Sequence, residues 1–155
     1  MRWLLGLLFA SLLGACTISN CARRQGLPLL VIHHLSSGPA PMVTGLTAYE
    51  NQLLELATDR GKRHCRMAPE KEFKDLERYI SSAEFLSTLR DIDSQHFEKL
   101  YFDYEELEID YADLEVTIPV EKVPTAVDPL LRSVDILFHR TFGQRYKRPW
   151  PPRGQ

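Results

Sequence analysis

Apolar positions along the chain change period several times, and each change predicts an element. LPLLVIHHL is a short run rich in branched residues, bounded by Pro28 and by Ser36-Ser37-Gly38-Pro39, which predicts a strand followed by a turn. Strand-like pieces follow at Val43–Tyr49 and Gln52–Thr58, and Asp59-Arg60-Gly61 reads as a turn into Lys62–Met67. A helix fits Tyr49–Ala57 as well, because Leu53, Leu54 and Leu56 do not settle the period. From Pro69 the period lengthens. Phe73, Leu76 and Ile80 recur at helical spacing, Pro69 suits a first helical position, and Glu70 and Glu72 favour the positive N-terminal end. After a break at Ser81-Ser82, Ser81 and Glu84 have capping-box spacing, and Phe85, Leu86, Leu89 and Ile92 form the buried side of a second short helix.

The period then falls back to two. Leu107, Ile109 and Tyr111 alternate with acids, as do Leu114, Val116, Ile118 and Val120 with Glu115, Thr117 and Pro119. The parity flips across Ala112-Asp113, as a hairpin turn requires if both strands face one core, and Pro119 places the second strand at an edge or ends it. A closing helix has Asp128 as its cap, Pro129 in its first turn, a stripe of Val127, Leu130, Leu131, Val134, Phe138 and Phe142, and Gly143 as its stop. The sum is an α+β domain over 27–143, a small antiparallel sheet packed against about three helices.

The strongest apolar run lies outside that domain. Trp3–Ala15 is uncharged and too short for the roughly 20 residues that cross a bilayer. With Met1 and Arg2 before it and Leu13-Gly14-Ala15 leading to Cys16, it reads as a secretory signal over 1–15. Leu13-Gly14-Ala15-Cys16 resembles the lipobox of bacterial lipoproteins, which implies cleavage before Cys16 and acylation, as by palmitate, of its sulfur. An ordinary cleaved signal fits less well, because Leu13 is bulky where a small residue is wanted. Positions 16–26 become the lipidated cysteine and a polar tether. The implied location is a bacterial cell envelope, with the domain facing periplasm or exterior and the bilayer holding acylated Cys16.

Cysteine count and charge refine this picture. Lipidation of Cys16 leaves Cys21 and Cys65, an even pair in an oxidising compartment; a disulfide between them and a tether thiol beside a buried one both stay open. The chain carries net charge −2, which gives no reason to expect nucleic acid. Charge is nonetheless segregated. Asp103, Glu105, Glu106, Glu108, Asp110, Asp113 and Glu115 form an acidic ribbon without Lys or Arg, while the Pro-rich tail over 144–155 holds Arg145, Lys147, Arg148, Trp150 and Arg153 without an acid. A solvated strand face accounts for most of the former, and either can mark a binding face.

Catalytic templates are missing from the sequence: there is no G-x-S-x-G, P-loop, H-E-x-x-H, C-x-x-C or dinucleotide fingerprint, so no cofactor is implied. His33 and His34 are neighbours on a strand and point to opposite faces, so they do not share one metal ion without distortion. The same divergence separates His64 from Cys65, where a nucleophile and its base need hydrogen-bond reach. An enzyme or metal protein using His33, His34, His64 or the acidic ribbon is therefore the rival to a non-catalytic binding domain. A structural part of an envelope assembly, docked through Arg145–Arg153, is a further alternative.

One family resemblance spans about Leu29–Phe138. Ser36-Ser37-Gly38, Leu76, Ala83-Glu84-Phe85, Val123-Pro124 and Pro129-Leu130-Leu131 resemble the emfourin-type proteinase inhibitor domain, a small bacterial α/β module. The resemblance implies a protein partner, a thermolysin-like metalloprotease, with Ser36, Ser37 and Gly38 in the contact. Gly38-Pro39 stands where the family has a double glycine. The lipobox is directly checkable. Protein from a bacterial host is expected to lack Met1–Ala15 and to carry acyl mass, and Cys16→Ser is expected to release it from membranes; unchanged mass and retention would remove the lipid anchor.

Overall fold

The computed structural model describes residues 21, 26–36, 42–58, 60–95 and 105–143. The signal segment, Cys16, Ser37, Gly38 and the basic tail with Arg145, Lys147, Arg148 and Trp150 lie outside the described residues. Six strands, β1 (Pro28–Ser36), β2 (Met42–Tyr49), β3 (Leu53–Ala57), β4 (Arg63–Met67), β5 (Glu105–Tyr111) and β6 (Leu114–Pro119), form one antiparallel sheet in the order β4-β3-β2-β1-β5-β6. Between β4 and β5 come helices α1 (Glu70–Ile80) and α2 (Ala83–Asp93); α3 (Asp128–Phe142) closes the domain. β1 is hydrogen-bonded on both sides, by β2 and by β5, so the four-strand meander and the later hairpin meet on it.

Strand alternation divides the sheet into two faces. Leu30, Ile32, Leu46, Ala48, Leu54, Leu56, Leu107, Ile109, Val116 and Ile118 turn to one side and are buried there with Phe73, Leu76 and Ile80 of α1, Phe85, Leu89 and Ile92 of α2, and Leu130, Val134, Leu137 and Phe138 of α3. All three helices thus lie on that face, α1 against α3, α2 over β6, and the end of α3 over β4. Phe85 fastens the layers: its ring centroid lies 5.4 Å from that of Tyr79 on α1 and 5.3 Å from that of Tyr111 on β5.

Local signals place the ends, with small shifts from the sequence reading. Tyr49–Ala57 is two strands rather than a helix; Gln52 takes φ 65° in the intervening turn, and Asn51 Oδ1 accepts from the Leu53 N–H at 3.3 Å. Pro69 is the N-cap of α1, one position before the helix. Ser82, not Ser81, caps α2 by accepting from the Phe85 N–H at 3.2 Å, because Ser81 is still tied to the Glu77 carbonyl at the end of α1. Val127 occupies the N-cap position of α3, and Asp128 is its first residue, where its charge still complements the helix dipole. Leu137 belongs to the buried stripe of α3 as well. Ala112 turns the β5–β6 hairpin at φ 57°, a left-handed conformation that costs an L-residue roughly 1–2 kcal/mol. Pro119 ends β6, an edge strand that needs no further backbone donor there.

One central-strand glycine is sterically required. A Cβ on Gly45 would collide with His33 Cδ2 and lie 2.6 Å from the Ile32 carbonyl oxygen, because the imidazole crosses the strand gap over Gly45. Gly45→Ala is accordingly expected to cost about 1–3 kcal/mol, the range of core overpacking. A lowered urea midpoint measures it; an unchanged midpoint would mean that His33 moves aside freely.

Candidate functional site

The outward face of the sheet carries no α-helix among the described residues, and most sequence-predicted polar groups collect on it. His33 sits between Gly45 of β2 and Glu108 of β5, its two cross-strand partners. Its Nδ1 lies 3.3 Å from Glu108 Oε1, with both side chains half-buried. His34 points the other way and meets Glu105 Oε2 through Nε2 at 3.2 Å. The two histidines therefore diverge, as alternation requires, and each pairs with a different carboxylate of β5.

Next to His33 the acidic ribbon condenses. Oxygens of Glu108, Asp110 and Glu115 lie within 4.8 Å of one another. Asp110 and Glu115 face each other directly across the β5–β6 ladder, and Asp110 Oδ1 is buried with no hydrogen-bond partner among the described residues. Burial holds the Asp110 carboxyl above the ordinary aspartate range, the charges of Glu108 and Glu115 push it further, and His33 acts against them. The arrangement stores like-charge repulsion and gives Asp110 a proton-holding tendency beside an imidazole.

A second polar group on the same face is fully connected. Glu55 of β3 is only 5% exposed, yet its carboxylate accepts from Arg63 Nη1 at 2.8 Å and from the Tyr49 hydroxyl at 3.1 Å. Cys65, the cross-strand partner of Glu55, is joined to Cys21 by a disulfide, and Tyr49, Leu53 and both cysteines form a small apolar cluster around it. With both sulfurs in the bridge, the grouping of Cys21, Glu55 and Cys65 is not a thiolate ligand set. His64 pairs across from Leu56 on the helix-bearing side, away from Cys65, so no thiol–imidazole pair forms.

The structure thus brings together His33, Glu108, Asp110 and Glu115, and separately Cys21 and Cys65. Ser36 is half-buried at the far end of β1, paired with Met42. Sequence reasoning missed the Glu55–Arg63–Tyr49 network and the packing role of Gly45. Their signals were an acid inside the apolar run LLELA and a glycine inside a strand pattern. Searches of known protein families, curated proteins and solved structures find no match to this chain.

The raised Asp110 pKa fixes a sign. Its folded-state value lies above the unfolded one, so rising pH removes its proton from the unfolded chain first and stability falls as pH rises through the folded value. Asp110→Asn is therefore expected to stabilise the fold at pH 7 by about 0.2–1 kcal/mol, the scale of a facing like-charge pair. The gain should vanish well below the ordinary aspartate pKa, where the wild-type carboxyl is already neutral. Urea titrations at both pH values check it, and a gain independent of pH would count against repulsion as the cause.

Proposed function

We propose that this chain is a lipoprotein held at a bacterial cell envelope through acylated Cys16, and that its domain binds a protein partner without catalysing a reaction. The observation that carries the reading is the division of the sheet: three helices take one face, and among the described residues the other carries no α-helix and bears His33, Glu106, Glu108, Asp110 and Glu115. Broad charged surfaces of this kind act through complementarity with a partner, which steers association more than it adds affinity. The His33–Glu108 pair, anchored over Gly45, supplies a fixed feature for a partner to read.

The specific form supported by the emfourin resemblance is inhibition of a thermolysin-like metalloprotease. Its contact would lie at the β1–β2 end, where Ser36 leads into Ser37 and Gly38. Titrating the purified domain against a thermolysin-type protease is expected to remove peptidase activity at stoichiometric ratio, with higher salt slowing association. Binding of a protein other than a protease keeps the binding reading and discards inhibition. A small-molecule turnover that His64→Ala abolishes, without any protein partner in cross-linked envelopes, would replace it with the enzyme reading.

A further inference from the structure

We propose that the domain self-associates through the free edge of β4, two copies pairing antiparallel about a twofold axis at Cys65 so that one sheet runs through both. The proposal goes beyond the partner-binding reading and holds whether or not Cys16 carries lipid. It begins with the hydrogen bonds that β4 leaves unused. The β3–β4 turn is closed by the Thr58 N–H on the Lys62 carbonyl at 2.9 Å, and just past the strand the Ala68 N–H donates to the Gln52 carbonyl at 2.9 Å. Antiparallel ladders alternate hydrogen-bonded and non-hydrogen-bonded pairs, so between those limits His64 and Arg66 bond to β3, opposite Leu56 and Leu54. Arg63, Cys65 and Met67 therefore direct their N–H and C=O groups away from the sheet, and β4 is the last strand on that side. Among the described residues no backbone hydrogen bond reaches those groups.

Edge strands ordinarily carry charges, prolines or covers that keep a second strand away. On β4 both cations are turned back onto the protein itself. Arg63 donates to Glu55 at 2.8 Å, and Arg66 donates to the Thr141 carbonyl at the end of α3, with its guanidinium 5.9 Å from the Phe142 ring. The disulfide leaves the edge clear as well, because Cys21 packs with Tyr49 and Leu53, towards β2 and β3. Met67, the last residue of the strand, is 60% exposed. The opposite edge is guarded. Pro119 ends β6 without an N–H, and the outward residues of neighbouring β5, Glu106, Glu108 and Asp110, are all acids, so joining two copies there would bring two acidic ribbons together.

A second copy is the occupant that fits the β4 edge. With Cys65 opposite Cys65 of the second copy, Arg63 falls opposite Met67 and Met67 opposite Arg63, and each of these pairs exchanges both of its hydrogen bonds. No like charges meet on the outward face: the exposed stem of Arg63 covers Met67 while its guanidinium stays with Glu55. On the helix-bearing face His64 comes opposite Arg66, whose guanidinium is held at the end of α3. Continued past the strand, the register carries Lys62 and Arg60 towards Ala68 of the second copy and the start of its α1, where the first turn holds Glu70 and Glu72. Such a contact closes on itself, so it yields a dimer and not a filament. A strand of five residues buries less than an obligate dimer does, so association is reversible and concentration-dependent.

The test is sedimentation equilibrium of the full chain in density-matched detergent. We expect a monomer–dimer equilibrium in the wild type. Met67→Pro deletes a donor that β3 does not use, and Met67→Lys sets a cation opposite Arg63 while keeping that donor; each is expected to raise the dissociation constant about tenfold with an unchanged far-ultraviolet circular dichroism spectrum. Thr117→Lys on β6 should leave the constant unaltered. Amide hydrogen exchange of the wild type reads the same edge without any substitution: Cys65 and Met67 should exchange more slowly as concentration favours the dimer. A monomer at every concentration, a dimer indifferent to both Met67 variants, or one weakened as much by Thr117→Lys overturns the proposal. So does a dimer in which the Cys65 and Met67 amides gain no protection.

Discussion

The alternation of β1 is the constraint on which the rest of the domain depends. It is hydrogen-bonded along both edges, so its pleat sets the facing of every residue from β4 to β6. Leu30 and Ile32 must point into the helical layer, and His33 is thereby forced outward between Gly45 and Glu108. A slip of one residue would expose Ile32 and drive the imidazole into the core, where an unpaired polar ring costs far more than the outward pairing returns. The imidazole's position is a consequence of hydrophobic register, and the glycine opposite it is the local accommodation.

The two polar groups on the outward face show how differently such positions can be resolved. Glu55 is the more deeply buried, but Arg63 and Tyr49 satisfy both its oxygens, so desolvation is offset by a charge-assisted contact and a hydroxyl. Asp110 is less buried and less well served: its neighbours are carboxylates, and one of its oxygens has no partner among the described residues. Stability alone would favour an amide there. The first group stiffens the sheet beside the disulfide; the second holds unspent charge on the side proposed for a partner.

Much of the architecture was legible in the sequence because hydrophobic period is a direct readout of facing. The parity flip at Ala112-Asp113, the helical spacing of Phe73, Leu76 and Ile80, and the divergence of His33 from His34 all follow from geometry that needs no tertiary information. Tyr49–Ala57 was ambiguous because LLELA is buried on both faces, Leu54 and Leu56 under the helices and Leu53 and Glu55 beneath the disulfide cluster, which erases alternation. The cap of α2 shifted by one residue because the Ser81 N–H still donates to the Glu77 carbonyl at the end of α1, which leaves the Ser82 hydroxyl to accept from the Phe85 N–H. The Glu55 network could not be read at all, since Arg63 and Tyr49 become its neighbours only through strand pairing.

Topology also gives the disulfide a place in the design that its stabilising effect does not exhaust. Closing a loop of this length limits the unfolded chain by roughly 3–4 kcal/mol in the chain-entropy picture, and a bridge elsewhere in the domain could do the same. A bridge that begins at Cys21, ahead of the first strand, and ends on an edge strand does something a core bridge could not: it ties the segment before β1 to β4, three strands away in the sheet. The edge strand it reaches bears exposed Met67 and receives the end of α3, while the segment leading into β1 carries Leu27 and two arginines. Among the described residues the helices fill one face, the disulfide cluster covers part of the other, and the rest of that face, with its histidine and its repelling carboxylates, is the side proposed for a partner.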